Sequence, residues 1–427
     1  MSTPDEPGRA GEPDSGPGSD AAADFAGIGE ITARSPEELA TLLAWLRTGR
    51  ATDVRLDFPA GTALPDGRLD LCKQDLGPTG AELVADALAD APADRPGPVR
   101  HVLLGTDGLG DQGADAVSAQ ASRSGVQTLY LGCNKISADG VCRIADNLRA
   151  SPQVVRAVWL KRNPLGRAGG RAAADLLGAA PALRTLDLVQ CGLDPVAAAE
   201  LAGALIAAAA AGRSFERLYL GGNPLGPAGA AAFAPVLAAG AVAELYLSAA
   251  GLGDQGAAAI AAALAAAPPG RLRRLSLASN GIGPQAAAAL VAAAARAGVE
   301  LLDLGRVRAA RVLGAAENRI DVDAATAIGA ALSGRAHSLT HLVLSDTGMR
   351  SNSAHRLLDH AAHAVTPTRY VLGKGVATSV RRRLDALSAD VPLPVVPADV
   401  DAVRSVHRTR AADRLGQRGQ HGQHGQQ

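Results

Sequence analysis

One pattern returns about ten times along this 427-residue chain: Leu-x-Leu, two residues, a small polar residue, x, then Leu or Ile. It reads LDLCKQDL at Leu69–Leu76, LYLGCNKI at Leu129–Ile136, VWLKRNPL at Val158–Leu165, LYLGGNPL at Leu218–Leu225 and LSLASNGI at Leu275–Ile282. Its first apolar residues are Leu69, Val102, Leu129, Val158, Leu186, Leu218, Leu245, Leu275, Leu302 and Leu342, 27 to 33 residues apart except for a last step of 40. GLGDQGA at Gly108–Ala114 recurs at Gly251–Ala257, 143 residues on. A fixed period of this length constrains the chain to a stack of like units, each lending its neighbour the core it cannot build alone.

Within a period, Leu-x-Leu predicts a short strand with alternating faces, and a Gly-containing turn follows. A helical stretch then carries apolar residues three or four apart, as in Val141, Ile144 and Leu148, or Leu83, Ala87 and Leu88. The fold expected is an α/β solenoid in a horseshoe of about ten repeats, with a parallel sheet on the concave face and helices on the convex face. From about residue 54 to 388 the pattern resembles the ribonuclease-inhibitor-like subfamily of leucine-rich repeat proteins. That resemblance implies that Gln74, Asp107, Asn134, Asn163, Cys191, Asn223, Ala250, Asn280, Asn318 and Thr347 occupy the position whose side chain bonds the turn between repeats. It also implies a protein-binding role, since the subfamily holds inhibitors, sensor domains, GTPase activators and bacterial effectors. Its inhibitors are acidic and cysteine-rich to meet a basic enzyme; this chain is neutral with four Cys.

Only 4 Lys stand against 38 Arg, which with the alanine load points to a GC-rich genome; a bacterial member of the subfamily it resembles is expected. Zero net charge gives no global field for nucleic acid or membrane. Cys72, Cys133, Cys142 and Cys191 show no CxxC spacing, so no zinc knuckle or redox motif is indicated. No signal peptide or membrane span is legible, and a cytoplasmic monomer is expected. Catalytic motifs are absent: no G-x-S-x-G, H-E-x-x-H or G-x-x-x-x-G-K-[ST] occurs. His355, Asp359 and His363 share one predicted helix face, which a solvated surface explains as well as a metal does. No metal or cofactor is expected.

Residues 1–26 form an acidic Pro/Gly-rich tail of disordered type, and 27–68 an N-terminal cap of helix plus strand. Ser35-Pro36-Glu37-Glu38 has the form of a helix start, with Leu39, Leu42, Leu43 and Leu46 on one face beside Trp45. The repeats run over 69–365 with an insertion near 305–316, the cap over 366–390, and a Pro-rich linker with a basic low-complexity tail over 391–427. If Asn318 takes the Asn position, the insertion leaves from a strand end and projects near the concave rim, where insertions commonly serve binding.

The x of Leu-x-Leu points onto the concave sheet. Along the repeats it is Asp70, Leu103, Tyr130, Trp159, Asp187, Tyr219, Tyr246, Ser276, Asp303, Val343 and Val371. Four of the chain's ten aromatic residues fall in these slots, where random placement would put about a quarter of one. With strands about 4.8 Å apart, Tyr130 to Tyr246 form a row about 20 Å long. Lys161 and Arg162 add charge beside it. Tyr, Trp and Arg together are the composition of protein-binding hot spots. The partner-binding residues expected are therefore Asp70, Tyr130, Trp159, Lys161, Arg162, Asp187, Tyr219, Tyr246 and Asp303, holding a protein or peptide with no catalysis by the chain itself. The alternative is a GTPase-activating or effector/ubiquitin-ligase-like adaptor, although no F-box or catalytic-cysteine domain is visible.

Overall fold

The computed structural model describes residues 31–90, 97–121, 123–151 and 154–406. The 1–26 tail, the terminal GQRGQHGQHGQQ and the rest of the basic tail beyond 406 lie outside the described residues.

Helix α1 (Pro36–Arg47) opens the described chain with the expected cap: the Glu38 carboxylate accepts the Ser35 N–H at 3.2 Å. Its buried Leu39, Leu42, Leu43 and Leu46 close the first unit. Strands β1 (Leu56–Phe58) and β2 (Gly61–Ala63) form a hairpin, and β3 (Arg68–Asp70) pairs antiparallel with β2. From β3 onward every neighbour is parallel. These strands are β4 (His101–Leu103), β5 (Thr128–Tyr130), β6 (Ala157–Trp159), β7 (Thr185–Asp187) and β8 (Phe215–Tyr219). They continue as β9 (Val242–Tyr246), β10 (Arg274–Ser276), β11 (Leu301–Asp303), β12 (His341–Leu344) and β13 (Arg369–Leu372). Register follows the sequence period: Leu69 pairs Val102, Leu302 pairs Leu342, and Leu342 pairs Tyr370.

Between strands run α2 (Gly77–Ala89), α3 (Gly110–Ala121), α4 (Ala138–Arg149), α5 (Gly169–Ala179), α6 (Pro195–Ala210) and α7 (Gly226–Ala238). Then come α8 (Gly253–Ala266), α9 (Pro284–Ala297), α10 (Val322–Ser333), α11 (Ser351–Ala361) and α12 (Thr378–Leu387). Each packs on the next, forming a second layer behind the sheet. Alanine and glycine permit that approach. A Cβ on Gly170 in α5 would lie 2.3 Å from the Ala197 Cα of α6, so this crossing requires glycine. Val141, Ile144 and Leu148 line the inner face of α4 as the spacing predicts. In α2 the inner face is Val84 with Ala87 and Leu88, and Leu83 is only half-buried.

The Asn column holds the stack in register. Asn163 donates to Leu131 O (3.0 Å) and Leu160 O (2.8 Å), and its Oδ1 accepts Asn134 N and Ile136 N, both at 3.0 Å. Asn223 and Asn318 also make four such bonds, and Asn280 does so with Ala278 O (3.4 Å) as its second acceptor, so the insertion before Asn318 leaves the ladder unbroken. Cys191 substitutes with an Sγ contact to Leu160 O.

Beyond α12 the chain turns back. Where the sequence suggests a free linker, residues 388–406 recross the sheet, including the four-residue α13 (Ala398–Asp401). Arg369 of β13 donates to Ser388 O and Val391 O, and Arg274 of β10 to Val395 O. Asp399 meets Arg217 of β8 at 2.8 Å and Thr185 of β7. Arg68 of β3 then donates to Arg404 O at 2.7 Å. Ten strand spacings measure about 48 Å along the sheet. Residues 391–406, largely extended with one helical turn, span about 42 Å. The segment therefore takes the chord on the concave side.

Candidate functional site

Three columns of side chains cover the concave face. The residues before each Leu-x-Leu, among them Arg68, Thr185, Arg217, Arg274 and Arg369, carry the recrossing segment. The x residues form the middle column. The third column, just past the strands, is built of backbone in the left-handed region.

In the middle column Tyr219 and Tyr246, on adjacent strands, stack at 4.4 Å between centroids and 13° between planes. Trp159 and Tyr219 belong to strands two apart, about 9.6 Å, yet their rings approach to 5.3 Å. They do so by leaning over the intervening Asp187, which is 4% exposed. Its carboxylate accepts the Val189 N–H at 2.8 Å. Burial pushes its pKa up to about 6, against the lowering effects of that bond and of the Lys161 charge. Trp159 is itself buried, and its Nε1 has no hydrogen-bond partner among the described residues. Tyr130 sits 6.5 Å from Trp159, with the Lys161 Nζ 5.3 Å from the Tyr130 centroid. Glycine makes room for the Tyr130 ring: a Cβ on Gly105 would stand 2.6 Å from Tyr130 Cε1.

The third column holds Lys73, Thr106, Cys133, Arg162, Gln190 and Ala249, all with φ between 53° and 63°. Each such residue costs roughly 1–2 kcal/mol. They persist because each N–H bonds the next repeat, as Arg162 N does to Val189 O at 2.8 Å. This conformation turns their side chains toward an open recess of about 600 Å³ beside the aromatic row. Tyr130, Lys161, Tyr219 and Tyr246 also line it. Its far wall is Val307, Ala309 and Leu313 of the insertion, and no carboxylate residue is among its lining.

Of the nine residues singled out from the sequence, Tyr130, Lys161, Arg162, Tyr219 and Tyr246 meet at this recess; Asp70, Trp159, Asp187 and Asp303 are not part of its lining. Asp70, expected to face a partner, accepts Ser405 Oγ at 2.9 Å and Val406 N at 2.6 Å from the chain's own recrossing segment. Asp303 accepts Gly305 N and Ser276 Oγ, so it is engaged within the sheet. The left-handed column escaped the sequence reading, although its place one residue before each Asn was readable. No group of three or more metal-ligating side chains occurs among the described residues, and no helix there is long and apolar enough to cross a membrane.

A family model described as Leucine Rich repeat matches residues 213–234 and 272–291. These segments hold β8 with the start of α7, and β10 with the start of α9. The stacked array is a leucine-rich-repeat solenoid. No curated protein matches the chain. Among solved structures it is similar to the leucine-rich repeat-containing protein LegL7 from Legionella pneumophila, at 14% identity over 86% of this chain and 99% of that one, with a TM-score of 0.48. It is also similar to leiomodin-1 actin-binding site 2, at 15% identity over 36% of this chain and 80% of that one, with a TM-score of 0.29.

Proposed function

We propose that this solenoid is a protein-interaction scaffold that seats an extended segment of a partner in the recess beside the aromatic row. The lining carries the reading: three tyrosine rings, the cations Lys161 and Arg162, an apolar wall from the insertion, and no carboxylate among the lining residues. Rings with few rotors and a desolvated cation are what binding hot spots are made of. Shape narrows the ligand further. The recrossing segment covers one flank of the sheet and the insertion walls the other, which suits a strand or loop better than a globular surface. On this reading the chain acts as a cytoplasmic monomer without catalysis of its own. It is of the ribonuclease-inhibitor-like kind; the 27 to 33-residue step and the Asn/Cys ladder support that assignment.

The test compares the parent with a Tyr219→Ala/Arg162→Glu double variant as bait in the source organism's lysate. A partner captured by the parent should be reduced at least tenfold on the variant, with the melting temperature within a few degrees. Equal capture by both would place the partner elsewhere.

A further inference from the structure

The recess is short of negative charge, and the chain carries a block of it. Residues 1–30 hold seven Asp/Glu and one Arg, so the rest of this net-neutral chain carries 41 Lys/Arg against 35 Asp/Glu. They lie outside the described residues, but the place where they join the fold is described. Ile31 packs on Gly108, its Cδ1 2.6 Å from where a Cβ there would stand. Arg34 N donates to Asp75 O at 2.8 Å, and Arg34 Nε to Gln74 O at 2.6 Å. Those contacts fall within two residues of Thr106 and Lys73, both of which line the recess. The acidic segment is therefore tethered at the recess mouth, beside the first repeats.

We infer that residues 1–30 dock in this recess in cis, their carboxylates against Lys161 and Arg162. Reach is no obstacle. Thirty extended residues span about 100 Å, whereas the row from Tyr130 to Tyr246 is about 20 Å long. Tethering supplies a millimolar effective concentration, so even a weak acidic segment occupies a cationic site. A partner must then displace the segment, and an acidic partner segment competes for the same charges. The inference shares the recess with the reading above but needs no partner, so the two fail separately.

The full chain carries only four lysines, Lys73, Lys135, Lys161 and Lys374, which makes zero-length cross-linking decisive. An equal mixture of isotopically light and heavy protein is treated with carbodiimide and its cross-linked peptides are weighed. Asp and Glu of residues 1–30 should join Lys161 within light or within heavy chains, and 1 M salt should abolish the links. Lys374, in the last repeat, should remain unlinked to that segment. Links to Lys161 no more frequent than to Lys374, or links mixing light and heavy chains, would overturn docking in cis. A second variant converts all seven acids to their amides. Alkylation of Cys133, which lines the recess, should then quicken severalfold at an unchanged melting temperature; an unchanged rate would also overturn the inference.

Discussion

Asp187 shows what the concave face costs at a single residue. Its carboxyl lies beneath Trp159 and Tyr219 with a pKa raised to about 6, whereas the unfolded chain ionises near the usual value of about 3.9. Below pH 4 the group is neutral in both states and costs nothing. As pH rises from about 4 to about 6 only the unfolded state sheds its proton, and stability falls; above 6 the loss is constant. Asp187→Asn keeps an acceptor for Val189 N–H and removes the loss. The variant should gain up to about 3 kcal/mol over the parent at pH 7.5 and almost nothing at pH 4. Thermal denaturation at the two pH values measures this, and an equal gain at both would show that burial of the charge is not the cause. Asp107 obeys the same logic inside the Asn ladder. Burial raises its pKa well above the usual value for an aspartate, and Oδ2 has no partner among the described residues. Asp107→Asn supplies the missing donor and should add about 1–2 kcal/mol at pH 7.

Among elements, the Asn column ties each strand–turn unit to its neighbour. Asn163→Ala removes four bonds at once and strands buried N–H and C=O groups in two repeats. The expected cost is about 3 kcal/mol or more, read from urea unfolding. A loss below 1 kcal/mol would mean that water replaces the side chain. This scale is also where the sequence is most readable. One strand after another pairs Leu with Leu in the register that the spacing dictates, and Asn318 still bonds Leu304 O across the insertion, 14 residues after it where Asn163 bonds Leu160 O three residues back. The site is less readable. Tyr130, Tyr219 and Tyr246 were findable because alternation decides which way a strand residue faces. The lean of Trp159 over Asp187 was not, since it depends on rotamers rather than on spacing.

For the molecule as a whole, the recrossing segment was the least readable feature. Arg68 and Arg404 stand 336 residues apart, and no periodicity links a strand to a Pro-rich stretch outside the repeat. Its central tie is the Asp399–Arg217 pair, with side chains 24% and 10% exposed. Asp399→Asn should cost about 1–2 kcal/mol locally. Amides that the segment protects, such as Val406 N on Asp70, should then exchange at rates near those of an unfolded chain while the strands stay protected. Unchanged exchange there would show that the backbone bonds alone hold it.

The stack by itself is a one-dimensional row, in which either end can fray without the other responding. A segment pinned to β3, β7, β8, β10 and β13 joins first repeat to last, as a string joins the tips of a bow. The row becomes a ring, its curvature is held from inside, and its ends must melt together.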